Sequence, residues 1–455
     1  MKKAFLISIF LIFSISSIFA NPIDNDCDYL ETLLSDVSID MSLSLDENNL
    51  TTQEIIDEIK SIYNNTASAR EEKKSGIDKK AFASAINEAY RKYSKINGHA
   101  AVLSGNDFFV PFEHQFIFYS DLYFTKENDS YIVYKNYKNI KKGMRYTGNI
   151  DNLFKTIQNN QILYRYGIFS TKNIKNSVIS IDNKDFTLSV YGNTGSVKNR
   201  KDYDFKKIDN CVYLKIEKCS YSDKNLEKQF FADSEKIITD FKNTDSIIFD
   251  FRNNLGGFSK FLNQFSYALI FDEKTKENEN KFDKWYRSIT SGHKRINTRT
   301  MINKTISVGL APSNYINYCL ENIDNKYLVE AEESVTLNPW YKGKIYIMIN
   351  PLTCSAAEDF SLSLKKLFGD NVIIVGQNSN GSLDFTDVYR YILPDSKIQI
   401  NLCAVDFRES NLLKEKCWHG DTKGIFPDYW CKPTDIVTIL TELTGNKKLH
   451  NFIKM

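Results

Sequence analysis

Five histidines and a net charge of only +2 are what this 455-residue chain has little of, and each shortage closes a route. Its 59 basic and 57 acidic residues nearly cancel, so no field draws in a polyanion and nucleic-acid binding is set aside. Neither Cys-x-x-Cys nor His-Glu-x-x-His occurs and the histidines are scattered, so no zinc site and no cofactor is expected. Past the first twenty residues, no stretch is apolar and long enough to span a bilayer. What is present, 42% hydrophobic and 13% aromatic residues, is the composition of a packed globular protein with room for two or three domains.

The N-terminus sets the expected compartment. Lys2 and Lys3 precede an apolar run from Ala4 to Phe13, then Ser-Ile-Ser-Ser-Ile-Phe-Ala20 and Pro22, which reads as a secretory signal cleaved after Ala20. Ile18 departs from the small residue preferred three before cleavage, which leaves an uncleaved membrane anchor as the alternative. After cleavage no membrane association is expected, and the protein would be periplasmic or extracellular. All eight cysteines lie beyond residue 20, so disulfides are permitted, with 105 possible pairings and no way to choose among them.

Residues 21–109 are expected to form a helical N-terminal region. The segment up to Asn49 reads as polar. Thr51-Thr-Gln-Glu54 has the form of a capping box ahead of Ile55, Ile56, Ile59, Ile62 and Tyr63, and a second amphipathic helix is expected from about Asp78 to Tyr93. Residues 110–205 change to short, alternating, aromatic-rich runs, a β-rich region. From 206 to 447 apolar strands alternate with amphipathic helices, an α/β core. Within it the polar stretch 273–303 is expected to be a surface loop or lid.

Two segments of that core carry the chemistry. Ser246-Ile-Ile-Phe-Asp-Phe-Arg-Asn-Asn-Leu-Gly-Gly257 is a strand ending in two glycines, and Gly343-Lys-Ile-Tyr-Ile-Met-Ile-Asn-Pro-Leu-Thr-Cys-Ser-Ala-Ala-Glu358 is a strand ending in a serine followed by helix formers. Acyl transfer needs a hydroxyl exposed at a sharp strand-to-helix turn and backbone N–H groups aimed at the developing oxyanion. Ser355 is the candidate nucleophile. Ala356, in the first turn of the helix, and Gly256 or Gly257 are the candidate oxyanion donors. A plain N-cap and a plain glycine turn are the bland alternatives, and Cys354 is a rival nucleophile.

The pattern Asp250-x-Arg252-Asn253-Asn254-x-Gly256-Gly257 followed by Ser355-Ala-Ala-Glu358 resembles the C-terminal processing and tricorn-like serine peptidases, the tail-specific protease superfamily. Val212-Tyr-Leu-Lys-Ile216 resembles the strand that opens that family's core, and Gly424-Ile-Phe-Pro-Asp428 resembles a motif near its end. The resemblance implies a crotonase-like ββα core, a polypeptide substrate and no cofactor. Many members carry a PDZ domain, and Lys142-Gly-Met-Arg-Tyr-Thr-Gly-Asn-Ile-Asp151 resembles a degenerate PDZ turn; an unrelated β-rich insert is the other reading of 110–205.

A serine hydroxyl needs a neighbour that takes its proton. In the processing-protease branch this is a lysine, but Ser382 stands where it is expected, and Lys365 and Lys366 read as part of a solvated helix face. The tricorn-like branch uses a histidine, and Asn97-Gly98-His99-Ala100 resembles its aspartate-glycine-histidine-threonine, with asparagine for aspartate and alanine for threonine. His99 is therefore the expected base, with His114 and His419 as alternatives lacking a motif. The resemblance places an acidic orienter upstream of Gly424: Asp421 is nearest, and Glu409 and Glu415 compete. The expectation is an exported serine peptidase of unknown oligomeric state. The alternative is a catalytically inactive peptide-binding protein that keeps the fold.

Overall fold

The computed structural model describes residues 23–66, 77–192, 202–309 and 312–453, so the expected signal over 1–20 and the charged linker over 71–76 lie outside the described residues. No helix among the described residues is long and apolar enough to cross a membrane. The chain divides into two compact units: Met1–Phe112 with Lys294–Val329 and Phe385–Asp406, and Glu113–His293 with Glu330–Asp384 and Phe407–Met455. Two stretches of the 206–447 region, 294–329 and 385–406, thus fold with the N-terminal helices, while the β-rich region folds with the rest of the α/β core.

In the first unit Thr51 and Glu54 form the expected capping box: Glu54 N–H donates to Thr51 Oγ1 at 3.3 Å, and Thr51 N–H to Glu54 Oε2 at 2.7 Å. The helix Thr52–Asn65 that follows buries Ile55, Ile56, Ile59 and Tyr63, and Lys79–Tyr93, capped by Asp78, buries Phe82, Ile86 and Tyr90. The segment read as polar instead forms two helices, Asp24–Asp36 and Ile39–Asn48. Leu30, Leu33 and Leu34 hold helical spacing among acids, and Ser38, Asp40, Ser42 and Ser44, which made the segment look polar, are themselves buried. These helices share one core with a six-stranded sheet that includes Ala101–Ser104, Phe385–Ile392 and Gln399–Asp406.

The second unit is built on a sheet ordered Tyr203–Ile208, Cys211–Ile216, Ser246–Asp250, Lys344–Ile349, Val372–Gly376, Tyr429–Trp430, parallel throughout except for its first pair. Alternation along each strand sends side chains to two faces. Ile247, Phe249, Ile345, Ile347 and Ile349 pack with Phe230, Phe261, Phe265 and Phe360, while Ile248, Tyr346 and Met348 pack with Ile436, Val437 and Leu440. Helices therefore cover both faces, the arrangement parallel sheets require. The 110–205 region contributes an antiparallel sheet and a hairpin, Asn176–Ile181 with Lys184–Ser189. The expected lid is also ordered: Lys276–Thr290 is a helix capped by Thr275 that buries Phe282, Trp285 and Ile289, residues whose three- and four-residue spacing was hidden by the charges between them.

No two of the eight cysteines are disulfide-bonded.

Candidate active site

All the groups expected around the nucleophile except His99 lie in the second unit. Ser355 ends the turn after the Lys344–Ile349 strand and is the N-cap of the helix Ala356–Phe368. Its backbone stands at φ 54°, ψ −116°, a region in which a residue with a Cβ is strained by about 1–3 kcal/mol. Such strain holds a side chain out at the apex of a strand-to-helix turn. Ser355 is half-buried, whereas the helix behind it is fixed by Phe360, whose ring meets Phe249 at 4.9 Å and Phe251 at 5.4 Å.

Two loops are stitched together around this serine. Asn253 and Asn350 bond reciprocally, Asn253 N–H to Asn350 Oδ1 at 3.0 Å and Asn350 Nδ2 to Asn253 Oδ1 at 2.9 Å. Thr353 Oγ1 donates to the Phe251 carbonyl at 2.9 Å, and Cys354 N–H to the Asn254 carbonyl at 2.9 Å. The Asp250 carboxylate anchors the base of the first loop through Arg252 Nε at 2.8 Å, Arg252 Nη2 at 2.7 Å and Tyr213 OH at 2.7 Å. Burial alone would raise its pKa, but the guanidinium and these hydrogen bonds outweigh it and hold the group below the usual carboxylate range. Asp250 and Arg252 are thus structural.

Each glycine is needed for a close approach, Gly256 to the serine and Gly257 to the backbone at Cys219. Gly256 stands at φ 82°, and a Cβ there would lie 2.7 Å from Ser355 Cβ and 2.9 Å from the Cys354 carbonyl oxygen. Gly257 stands at φ 130°, with a Cβ position 2.4 Å from the Cys219 carbonyl oxygen. The two differ as donors. Gly256 N–H is taken by Asn254 Oδ1 at 2.8 Å, whereas among the described residues no hydrogen bond engages the N–H of Gly257 or of Ala356. Of the two glycines named from the sequence, Gly257 therefore keeps a donor for an oxyanion, and Gly256 supplies the close approach.

Glu358, which the sequence left without a role, is the hub. Fully buried, it accepts four hydrogen bonds: on Oε2 from Ser355 N–H at 2.8 Å and Ser382 N–H at 3.0 Å, on Oε1 from Ser379 Oγ at 2.5 Å and Gly381 N–H at 2.7 Å. Burial raises its pKa to about 7 against the pull of those donors. The signal was in the sequence as a capping box, Ser355-x-x-Glu358. Ser382, at the expected lysine position, is buried and donates through Oγ to Asn380 Oδ1 at 2.8 Å. Cys354 is a poor nucleophile, because burial and then the charge of Glu358 push its thiol well above the ordinary range.

Lys365 and Lys366 are not on a solvated face. Lys365 Nζ donates to the Val372 carbonyl at 2.8 Å and pairs with Asp428, and Lys366 Nζ donates to the Asn411 carbonyl at 2.9 Å. Asp428 also receives Ile374 N–H at 2.8 Å, so the Gly424–Asp428 motif locks a strand. His114 is committed too: its Nδ1 meets the Asn380 carbonyl at 2.6 Å, its Nε2 faces Asn378 Nδ2 at 3.5 Å, and burial lowers its pKa to about 4. His419 stacks on Phe426 at 3.6 Å. Asp421 is buried, and its Oδ1 accepts the N–H groups of Leu383 and Asp384, each at 2.8 Å.

His99 lies in the first unit with its ring half-buried. Its Nδ1 stands 2.7 Å from the Phe385 carbonyl, and a carbonyl can only accept, so Nδ1 carries the proton and Nε2 the lone pair. Desolvation lowers its pKa below the ordinary 6.5, against the opposing effects of that hydrogen bond and of Asp387.

The profile of peptidase family S41 matches residues 210–429. Similar solved structures include mature CPAF complexed with lactacystin, 13% identical, over 94% of this chain and 98% of that one, with a TM-score of 0.43. A putative peptidase from Parabacteroides merdae is 12% identical over 96% and 100% of the two chains, with a TM-score of 0.42. The photosystem II D1 C-terminal processing protease is 11% identical over 86% and 95%, with a TM-score of 0.32. Identities and TM-scores this low leave the family match as the finding that carries weight. No curated protein matches the chain.

Proposed function

We propose that this chain, whose residues 210–429 match peptidase family S41, is a serine-type peptidase with Ser355 as its nucleophile and a histidine as the base. The observation that carries the reading is the strained Ser355 turn, with Gly256 packed behind its Cβ and the N–H groups of Ala356 and Gly257 unengaged among the described residues. Ser355 Oγ attacks the scissile carbonyl carbon while its proton passes to the base. The carbonyl oxygen, now an anion, accepts from Ala356 and Gly257. The tetrahedral adduct collapses, the amine leaves with the proton from that base, and water repeats the sequence on the acyl-enzyme.

In this reading the Phe385 carbonyl orients the imidazole, while Asp421 holds the backbone at 383–384 that leads into it. The residues that support His99 are its motif in the sequence and a tautomer that leaves Nε2 basic. We further propose export, on the strength of Lys2, Lys3 and the apolar run behind them. Hydrolysis of denatured casein by the wild type but not by Ser355→Ala tests the nucleophile. Equal hydrolysis by both would overturn it.

A further inference from the structure

The first unit buries a carboxylate for which no ion pair exists among the described residues. Asp40 is fully buried on the helix Ile39–Asn48, and its side-chain partners are neutral donors: Ser38 Oγ to Oδ1 at 2.8 Å, Tyr90 OH to Oδ2, and Asn97 Nδ2 to Oδ2 at 2.9 Å. An acid so placed is expensive unless its contacts are used. Asn97, 1% exposed, passes the contact on, because its Oδ1 accepts the backbone N–H of His99 at 2.9 Å.

We infer that Asp40 is a positioning residue for His99, acting through the Asn97 amide; this rests on the reading of His99 as the base. A carboxylate can only accept, so it admits one orientation of Asn97, Nδ2 toward Asp40 and Oδ1 toward His99 N–H. With an amide at 40 both orientations become open, and the flipped one sets an NH2 group against the His99 N–H. The fixed backbone at 97–99 in turn delivers the ring to the Phe385 carbonyl. The same geometry accounts for asparagine at 97. An aspartate there would bring two buried carboxylates within hydrogen-bond distance, with Tyr90 and the Cys403 thiol as the other titratable groups of the cluster. On the imidazole itself the remaining charge is Asp387, which is paired with Arg295.

The test relocates the charge. The rate at which a fluorophosphonate probe labels the protein is measured across pH for wild type, His99→Ala, Asn97→Asp and the double variant Asp40→Asn/Asn97→Asp, with folding followed by circular dichroism. Asn97→Asp is expected to label at least about tenfold more slowly at pH 7, because two buried carboxylates at hydrogen-bond distance cannot both ionise without moving apart. The double variant restores one carboxylate and one amide with the donors reversed, and Tyr90 can turn its hydroxyl to Ser38 Oγ, 2.8 Å away. It is expected to recover to within about threefold of wild type. An Asn97→Asp rate equal to wild type overturns the inference, as does a double variant that is unfolded or no faster than the single. Wild-type labelling by His99→Ala overturns the base reading, and the inference with it.

Discussion

The Ser355 backbone N–H donates to Glu358 Oε2 at 2.8 Å, and the same oxygen takes Ser382 N–H at 3.0 Å. One buried carboxylate thus holds the strained Ser355 turn and the 379–382 loop together. Every neighbour of Glu358 is a donor toward it, so Glu358→Gln must turn an NH2 group against at least one N–H. We expect a stability loss of about 1–3 kcal/mol in urea denaturation, together with slower hydrolysis. Unchanged values for both would remove Glu358 from this role.

The same residue gives a pH dependence with a definite sign. Burial raises Glu358 to about 7 and Asp359 to about 6 in the folded chain, so both bind protons more tightly folded than unfolded. Ser379 Oγ can accept from a protonated Glu358 as readily as it donates to the carboxylate. Their contribution to stability is therefore complete below the unfolded carboxyl pKa of about 4 and is lost as pH rises to about 7. Urea midpoints taken from pH 4.5 to 7.5 should fall through this window in wild type, and less steeply in Glu358→Gln and Asp359→Asn. Midpoints that rise equally in all three would contradict the assignment.

Strain at Ser355 predicts a divergence of stability and activity. Ser355→Gly relieves φ 54° and should raise stability by up to about 1 kcal/mol while abolishing hydrolysis. Gly256→Ala meets Ser355 Cβ at 2.7 Å and should lose activity through displacement of the nucleophile. Calorimetry and casein hydrolysis separate the two effects. A Ser355→Gly protein less stable than wild type would show the turn to be unstrained.

On the proposal that His99 is the base, desolvation keeps it below its ordinary 6.5, so the neutral imidazole persists to lower pH. The acidic limb of kcat/KM should lie below 6.5, and His99→Ala should lower kcat by about a hundredfold or more. A limb above pH 8 that survives the substitution would point to a lysine.

The sequence exposed the parts of this site that chemistry fixes locally. Strand patterning over 345–349, the helical spacing after Ala356 and the paired glycines each follow from neighbours in the chain. It did not expose what depends on side chains returning from elsewhere. Asn350 takes the N–H of Asn253, and Lys365 is drawn from its helix to Asp428; neither spacing nor composition encodes these. The helices Asp24–Asp36 and Ile39–Asn48 were illegible for a related reason: Ser38, Asp40 and Ser42 count as polar but are buried against Tyr90, Asn97 and Tyr327. Polar residues that meet their partners only in the folded chain look like solvent-facing ones until it folds.

The central claim, that Ser355 is an activated nucleophile, is tested most directly by labelling the folded protein with a fluorophosphonate at neutral pH and mapping the adduct by peptide mass spectrometry. The account predicts a single phosphonylated residue, Ser355, and no labelling of Ser355→Ala. Folded wild type that takes up no label, or that carries it elsewhere, would contradict the claim and leave a peptide-binding protein with the fold of a peptidase.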